Sequence, residues 1–271
     1  MTHDRSPAPV VGSPYRRRGV RYRPNLARIE LDLLWDCNLR CKNCDRSCRQ
    51  APSAARMTPA QVARFIDQSI RAGRHWERIA LLGGEPTLHP ELDEILDLLL
   101  GYRAQRAPET EIRLVTNGHG EIVQRVLAGL PAEVVVRNTR KQGVDQDRFE
   151  PFNLAPRDLP ACRGAHFDEG CWVTADCGLG LNRHGYYPCG VAGGIARVAG
   201  LRIALAEPPT DPEQLRPALA AACQLCGHFL RGEFEPRSVR RALAGEPCSL
   251  TWRRLYRKYA VAPATLPLWG E

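Results

Sequence analysis

The chain has 271 residues, of which 44% are hydrophobic and 25% are charged. These proportions are typical of a globular protein, and they exclude wholesale disorder and fibrous architectures. No apolar run reaches the length of a transmembrane helix, and the N-terminus lacks the apolar segment of a secretory signal. We therefore predict a cytoplasmic protein with no membrane partner.

The net charge of +8 comes from an unusual set of basic residues. Of the 38 Lys and Arg residues only three are lysine, at positions 42, 141 and 258. Such a skew indicates a codon bias rather than a binding surface, and no nucleic-acid-binding signature accompanies it. The composition therefore argues against a nucleic-acid partner.

Cysteine is the informative residue, with 11 copies in the chain. An odd number of cysteines in a reducing compartment argues against disulfides. Ligation of a metal ion or a metal cluster is the leading interpretation.

The predicted elements divide the chain into three parts. Residues 1–26, rich in Pro, Gly, Ser and Arg, predict a flexible basic arm. Residues 27–156 predict alternating strands and helices, with strands over 28–35, 79–82, 111–116, 133–137 and 152–155, and helices starting near 59, 90 and 121. Residues 157–271 predict a hairpin over 179–188, a helix running from Thr210 and Asp211 toward Cys223, and one or two Arg-rich helices over 236–258.

The first helix carries the clearest local signal. Thr58, Pro59 and Gln61 form the pattern of a capping box with proline at the first helical position, and Gly73 can end the helix. Alternating strands and helices imply a parallel sheet, and 27–156 is too short for a closed eight-fold barrel. The fold class is therefore α/β, an open sheet or partial TIM-like (β/α) barrel, followed by a small hairpin and helix domain. Its site is expected at the carboxyl ends of the strands.

Three cysteines follow the first predicted strand directly. Cys37, Cys41 and Cys44 have the spacing C-x3-C-x2-C, and three thiolates on one loop can hold three irons of a 4Fe–4S cube while the fourth iron stays open. A zinc site or reduced core cysteines are the alternatives, and Cys48 could supply a fourth ligand that would close the site.

Two further motifs lie at the ends of the next two strands. Gly83, Gly84, Glu85 and Pro86 form a turn in which a ligand can approach the backbone closely. Asn117, in Thr-Asn-Gly, could hydrogen-bond a ribose or a carboxylate.

Together these motifs resemble the radical S-adenosylmethionine (SAM) superfamily. The resemblance implies that Cys37, Cys41 and Cys44 ligate a 4Fe–4S cluster and that SAM chelates its open iron. It further implies that the 83–86 turn and Asn117 hold SAM, with Asn138 as another candidate. In the family the residue before the third cysteine is often aromatic, whereas here it is asparagine.

The C-terminal cysteines resemble the auxiliary-cluster extensions called SPASM and twitch. A cysteine precedes the predicted hairpin, another follows it, and a C-x2-C pair comes later. The resemblance implies a second 4Fe–4S cluster held by Cys171, Cys189, Cys223 and Cys226, with Cys177 or Cys162 as substitutes for Cys171. The alternatives are a structural zinc in the same four cysteines and plain buried thiols.

The favoured function is reductive cleavage of SAM to a 5′-deoxyadenosyl radical, which removes a hydrogen atom from a small biosynthetic metabolite. Net oxidation, by dehydrogenation or bond formation, would use the auxiliary cluster as electron acceptor. Flavodoxin or ferredoxin is the expected reducing partner. The alternatives are a maturase that modifies a ribosomal peptide and a non-catalytic iron–sulfur or zinc protein. No substrate acid or base can be assigned; Glu30, Asp32 and His89 lie near the relevant edge.

Overall fold

A computed structural model describes residues 22–146, 149–230 and 245–270 of the chain. Most of the predicted arm, residues 1–21, lies outside this part, as do residues 231–244, which include the first part of the predicted Arg-rich helices. Within the remainder of the arm, the N–H of Asn25 donates to the carbonyl oxygen of Thr174.

Six strands form one sheet in the described residues, with the spatial order β4-β3-β2-β1-β5-β6. Neighbours β1 to β4 are parallel, β5 pairs parallel with β1, and β6 pairs antiparallel with β5. The strands are β1 (Arg28–Leu34), β2 (Arg78–Gly83), β3 (Glu111–Thr116), β4 (Val135–Asn138), β5 (Leu179–Asn182) and β6 (Gly185–Tyr187).

Seven α-helices are present in the described ranges, joined in places by short 3-10 turns. They are α1 (Pro59–Arg71), α2 (Leu92–Arg106), α3 (Glu121–Ala128), α4 (Trp172–Asp176), α5 (Gly190–Ala199), α6 (Arg216–Cys223) and α7 (Leu250–Val261). No helix of the described residues is long and apolar enough to cross a membrane.

Helix α1 begins as its sequence predicts. The side chain of Thr58 accepts the N–H of Gln61, and the side chain of Gln61 accepts the N–H of Thr58, so the capping box is complete. The chain leaves the helix through Gly73 with a φ of 60°, in the left-handed region that glycine tolerates.

The predicted fold class is confirmed: the protein is a mixed α/β structure with a mostly parallel sheet, the arrangement of a partial (β/α) barrel. The predicted hairpin is also present. Its first strand adds to the edge of the main sheet beside β1, where Ile29 is opposite Leu179 and Leu31 is opposite Leu181. The hairpin therefore lies in the same sheet as the (β/α) units.

Two apolar cores support this sheet. The first joins the buried sides of β1 to β3 with helices α1 and α2, through side chains such as Phe65 and Leu99. The second joins helices α5 and α7 through side chains such as Ile195 and Trp252. The C-terminal segment is thus packed into the molecule rather than appended to it.

Two strand predictions need correction. Residues 152–155 form a buried turn instead of a strand: the N–H of Phe152 donates to the carbonyl oxygen of Glu150, and the Phe152 side chain is fully buried. A short apolar run is consistent with either structure, because burial alone does not fix the backbone. The fourth strand starts at Val135, two residues later than predicted. The chain forms a turn before it, in which the N–H of Val134 donates to the carbonyl oxygen of Pro131.

Candidate functional site

A cavity of about 290 Å³ opens at the carboxyl ends of β1, β2 and β3. The loop that follows β1 forms one wall, and the three cysteines of its C-x3-C-x2-C motif, Cys37, Cys41 and Cys44, all line the cavity. Gly83, Gly84 and Asn117 line it as well. The structure therefore brings together residues from three separate sequence motifs.

The cysteine loop is anchored by a carboxylate from far along the chain. Asn43 has a φ of 54°, and its N–H donates to Glu246 Oε1 over 3.0 Å. The same carboxylate accepts Asn153 Nδ2 at 3.3 Å, Arg49 at 2.7 Å and the amide of Gln50. Glu246 thus holds the backbone N–H just before Cys44 and two side chains that follow it.

Glycine is required at positions 83 and 84, because the neighbouring loop leaves no space for a Cβ atom. A Cβ on Gly84 would overlap the carbonyl oxygen of Asp36, and one on Gly83, whose φ is 122°, would overlap that of Leu34. The N–H of Gly84 donates to the Leu34 carbonyl at 2.8 Å. The missing side chains therefore let the end of β2 lie directly against the cysteine loop.

Glu85 is fully buried and holds two turns together. Its Oε1 accepts the hydroxyls of Thr87 and Thr116, each at 2.8 Å, and its Oε2 accepts the N–H of Asn117 at 2.8 Å. Glu85 does not line the cavity, and neither does the buried Pro86. Through these contacts Glu85 positions the ends of β2 and β3, which form one wall of the cavity.

Asn117 connects β3 to the cysteine loop. Its Nδ2 donates to Asn38 Oδ1 at 2.7 Å and lies 3.9 Å from the Cys37 sulfur. Asn138 lies elsewhere: its side chain packs against Gly118 and accepts the N–H of Arg140 at 2.8 Å, and it does not line the cavity.

The thiols of the loop differ in acidity. Burial raises the pKa of Cys37 to about 11 and also raises the pKa of Cys41. A hydrogen bond from Cys48 lowers the pKa of Cys44 to about 6, although burial opposes this effect. Cys48 also lines the cavity, next to Cys44.

The loop fits a 4Fe–4S cluster by the chemistry of its donors. Three cysteines of one loop line one cavity, and a cube binds one cysteine per iron. In the part of the chain that the structure describes, no group of three or more His, Cys, Asp or Glu side chains is arranged around a single metal ion.

A buried charge network lies behind the cysteine loop. Arg46 donates to Glu30 at 2.7 Å, to Asp45 at 3.1 Å and to Asp32 at 3.2 Å. Burial raises the pKa of Asp32 to about 7, although Arg46 opposes this effect. Glu30, Asp45 and Arg46 line the cavity, so its inner end is polar.

The C-terminal cysteines form a second group. Cys171, Cys189, Cys223 and Cys226 are all buried. Burial raises the pKa of Cys226, and the nearby thiols of Cys171, Cys223 and Cys189 add to this effect. Burial likewise raises the pKa of Cys189 to about 12.

The two proposed substitutes for Cys171 lie in different places. Cys177 ends α4 and lines the first cavity, where burial raises its pKa. Cys162 ends a short 3-10 turn and is buried. Cys177 therefore lies at the first cavity, and it is also near Cys189, whose charge raises its pKa further.

Arg197 of α5 joins the cysteine loop to the C-terminal helix. It donates to the carbonyl oxygens of Arg46 at 2.9 Å and Ala51 at 2.6 Å, and to the hydroxyl of Tyr259 at 2.8 Å. Its guanidinium lies 4.8 Å from the centre of the Trp35 ring. A buried cation thus satisfies two backbone carbonyl groups that follow Cys44.

A second cavity, of about 490 Å³, lies between the hairpin and residues 266–270. His184 lines it, and the ring of His184 stacks on Trp35 and bonds through Nδ1 to the carbonyl oxygen of Pro267. None of the predicted site residues lines this cavity.

The sequence did not identify several residues of the first cavity. Asp45, Arg46, Glu150 and His228 all line it. Asp45 and Arg46 could have been noticed because they directly follow Cys44. No local pattern connects Glu150 with His228, which are 78 positions apart.

Residues 36–131 match the Radical SAM superfamily. The matched segment contains the cysteine loop and the ends of β2 and β3. Over 98 residues the chain is 30% identical to a probable GTP 3′,8-cyclase of Pyrococcus horikoshii, a stretch that covers 36% of this chain and 29% of that protein.

Among solved structures, the fold is similar to a crystal structure of BtrN in complex with AdoMet and 2-DOIA. The TM-score is 0.39 and the sequence identity 15%, over 73% of this chain and 83% of that one.

Proposed function

We propose that this protein is an enzyme that cleaves SAM reductively and uses the 5′-deoxyadenosyl radical to remove a hydrogen atom from a substrate. One observation carries the proposal. Cys37, Cys41 and Cys44 line the same cavity as Gly83 and Gly84, and all five lie in the segment that matches the superfamily.

When bound, the 4Fe–4S cluster and SAM supply a one-electron reduction that splits SAM into methionine and the 5′-deoxyadenosyl radical. The residues of the chain hold and orient the cluster and SAM. Cys37, Cys41 and Cys44 would hold three irons and leave the fourth open for SAM. The Gly83 and Gly84 backbone would bind the SAM amino group, and Asn117 would orient the bound molecule from the end of β3.

We further propose that Cys171, Cys189, Cys223 and Cys226 hold a second 4Fe–4S cluster that accepts an electron from the substrate radical. The mutual proximity of these buried thiols supports this ligand set. The substrate, a small metabolite, would lose a hydrogen atom to the deoxyadenosyl radical, then one electron and one proton, which is a two-electron oxidation. Flavodoxin or ferredoxin would supply the first electron and take up the second.

The first experiment measures SAM cleavage by the anaerobically reconstituted protein with a strong reductant. The wild type should form 5′-deoxyadenosine and methionine, and Cys41→Ala should form neither, because it removes one iron ligand. Cys248→Ala is the matched control: this thiol lines neither cavity, and its variant should cleave SAM like the wild type. Cleavage by Cys41→Ala, or no binding of SAM to the wild type, would instead favour a non-catalytic metal protein.

A further inference from the structure

The first cavity contains a buried histidine that the cleavage of SAM does not use. His228 lies in a short 3-10 turn after α6, is 8% exposed, and lines the cavity. Its Nδ1 is hydrogen-bonded to the carboxylate of Glu150, which also lines the cavity and is 3% exposed. The rings of Phe152 and Trp172 pack around the imidazole, each with its centroid 6.1 Å away. The ring is therefore fixed in one orientation.

The other ring nitrogen is available to a ligand. His228 Nε2 is buried and has no hydrogen-bond partner among the residues that the structure describes. The nearest carboxylate oxygen, Asp45 Oδ2, lies 3.8 Å away, which is too far for a hydrogen bond. A buried polar atom without a partner is costly, so a site of this kind is completed by water or by a ligand.

The gap between Nε2 and Asp45 matches one oxygen atom. Hydrogen bonds from a hydroxyl oxygen span about 2.7–3.0 Å, so a single oxygen can reach both groups when they are 3.8 Å apart. Arg46 holds the same Asp45 oxygen at 3.1 Å, so this acceptor is fixed like the imidazole. The two groups therefore form a preorganised pair.

We propose that His228 Nε2 and the Asp45 carboxylate bind one hydroxyl group, and that the substrate of the cavity is an alcohol or polyol. The substrate assignment rests on the function proposed above. A hydroxyl group can donate its one proton to the Asp45 carboxylate while its oxygen accepts from an Nε2–H.

Other polar groups fit this pair less well. An ether oxygen accepts only and cannot satisfy the Asp45 carboxylate. A carboxylate or phosphate would be repelled by Asp45 and Glu150, which both line the cavity. An ammonium group donates only and leaves an Nε2–H without an acceptor. The hydroxyl group is the one that satisfies both partners.

Ligand-observed NMR on the reconstituted protein tests this assignment without any turnover. The probes are glycerol, cyclohexane-1,2-diol and myo-inositol, with 1,2-dimethoxycyclohexane as the matched ether. At least one alcohol should bind the wild type, and the ether should bind less tightly than its diol. His228→Phe keeps the ring packing and removes the nitrogen, so alcohol binding should weaken about 10- to 100-fold.

His184→Phe is the control, because His184 also bonds through Nδ1 but lines the other cavity. It should bind the alcohols like the wild type. Should His228→Phe fold poorly, because Glu150 loses its partner, the double variant Glu150→Leu/His228→Phe makes both positions apolar and allows the same comparison.

Equal affinity of the diol for the wild type and His228→Phe would overturn the proposal. So would equal binding of diol and ether, or no binding of any of the three alcohols. The outcome is separable from the enzyme proposal. A protein that cleaves SAM but binds no alcohol fails only here, and one that binds alcohols at His228 without cleaving SAM fails only as an enzyme.

Discussion

At Gly84 the site has no space for a larger side chain. A Cβ there would overlap a backbone oxygen of the cysteine loop, and a backbone atom cannot move aside as a flexible side chain can. Gly84→Ala should therefore lower the free energy of unfolding by about 1–3 kcal/mol and also weaken SAM binding, because the loop must shift.

Gly101→Ala provides the opposite control. Gly101 lies inside α2, and a Cβ there would meet nothing within 4 Å. Alanine should stabilise this helix by about 0.5–1 kcal/mol. Thermal unfolding of both variants under anaerobic conditions measures the difference. Equal stability of Gly84→Ala and Gly101→Ala would show that the Gly84 turn does not lie tightly against the cysteine loop.

Glu85 offers a second prediction at this scale. Glu85→Ala removes the acceptor of two hydroxyls and two N–H groups and so frees the Asn117 turn. The affinity for SAM should fall about 10- to 100-fold, the equivalent of one lost hydrogen bond to a charged group. Because Glu85 binds no iron, the iron content should stay at the wild-type value.

The matched variant for Glu85 is Glu91→Ala. Glu91 precedes α2 and its side chain makes no capping hydrogen bond, so SAM affinity should be unchanged. Equilibrium binding of SAM to the reduced and oxidised proteins gives both values. A Glu85→Ala protein with wild-type affinity would contradict the positioning role.

The sequence located the cysteines and the glycine turn because their chemistry is encoded in short spacings. It placed Glu85 in the pocket, whereas the structure places its carboxylate behind the wall. Side-chain direction at a turn depends on partners such as Thr116, which lies 31 positions away. The hydrogen bond between His228 and Glu150 likewise joins residues that are far apart in the chain, so no local sequence pattern indicates it.

At the scale of elements, the cysteine loop has no regular structure of its own and depends on Glu246. Glu246→Ala removes the acceptor for the N–H of Asn43 and the partner of Arg49. A looser loop should release iron to a chelator about 10-fold faster or more, since a lost charged hydrogen bond costs about 1.5–3 kcal/mol.

The rate of iron release, followed by absorbance with a ferrous chelator, measures this effect. Glu133→Ala is the control, because Glu133 is an exposed carboxylate in the turn before β4. Equal rates in Glu246→Ala and the wild type would mean that the cysteines hold the loop in place without the anchor.

Most of the elements follow from local patterns. The capping box sets the start of α1, and alternating apolar residues mark β1 and β3. The attachment of the hairpin to β1 could not be predicted in this way, because it pairs residues 150 positions apart, such as Ile29 and Leu179. The run at 152–155 was assigned wrongly for the related reason that tertiary burial, not strand pairing, explains its apolar side chains.

For the whole molecule, the metal content distinguishes the possible functions. We expect about eight irons per chain, four for each cluster, and no stoichiometric zinc. The triple variant Cys37→Ala/Cys41→Ala/Cys44→Ala should keep about four irons, because the C-terminal thiols are a separate group. Elemental analysis with Mössbauer or EPR spectroscopy measures the count and the cluster type.

The complementary variant, Cys223→Ala/Cys226→Ala, should keep the iron of the cysteine loop and still cleave SAM. Its C-terminal part should be less stable, because a bound metal centre contributes to folding. Zinc in place of iron in the triple variant would contradict an electron-accepting role for the C-terminal thiols and leave them a structural site.

Arg197 and Glu246 both hold the cysteine loop, and this affects the order of events during synthesis of the chain. The loop that contains Cys37, Cys41 and Cys44 is held by side chains that leave the ribosome more than 140 residues later. Domains at the start of a chain commonly fold while the rest is still being made. We therefore expect the three cysteines to reach their places only after the C-terminal segment has been translated, which would make delivery of iron to this loop a post-translational step.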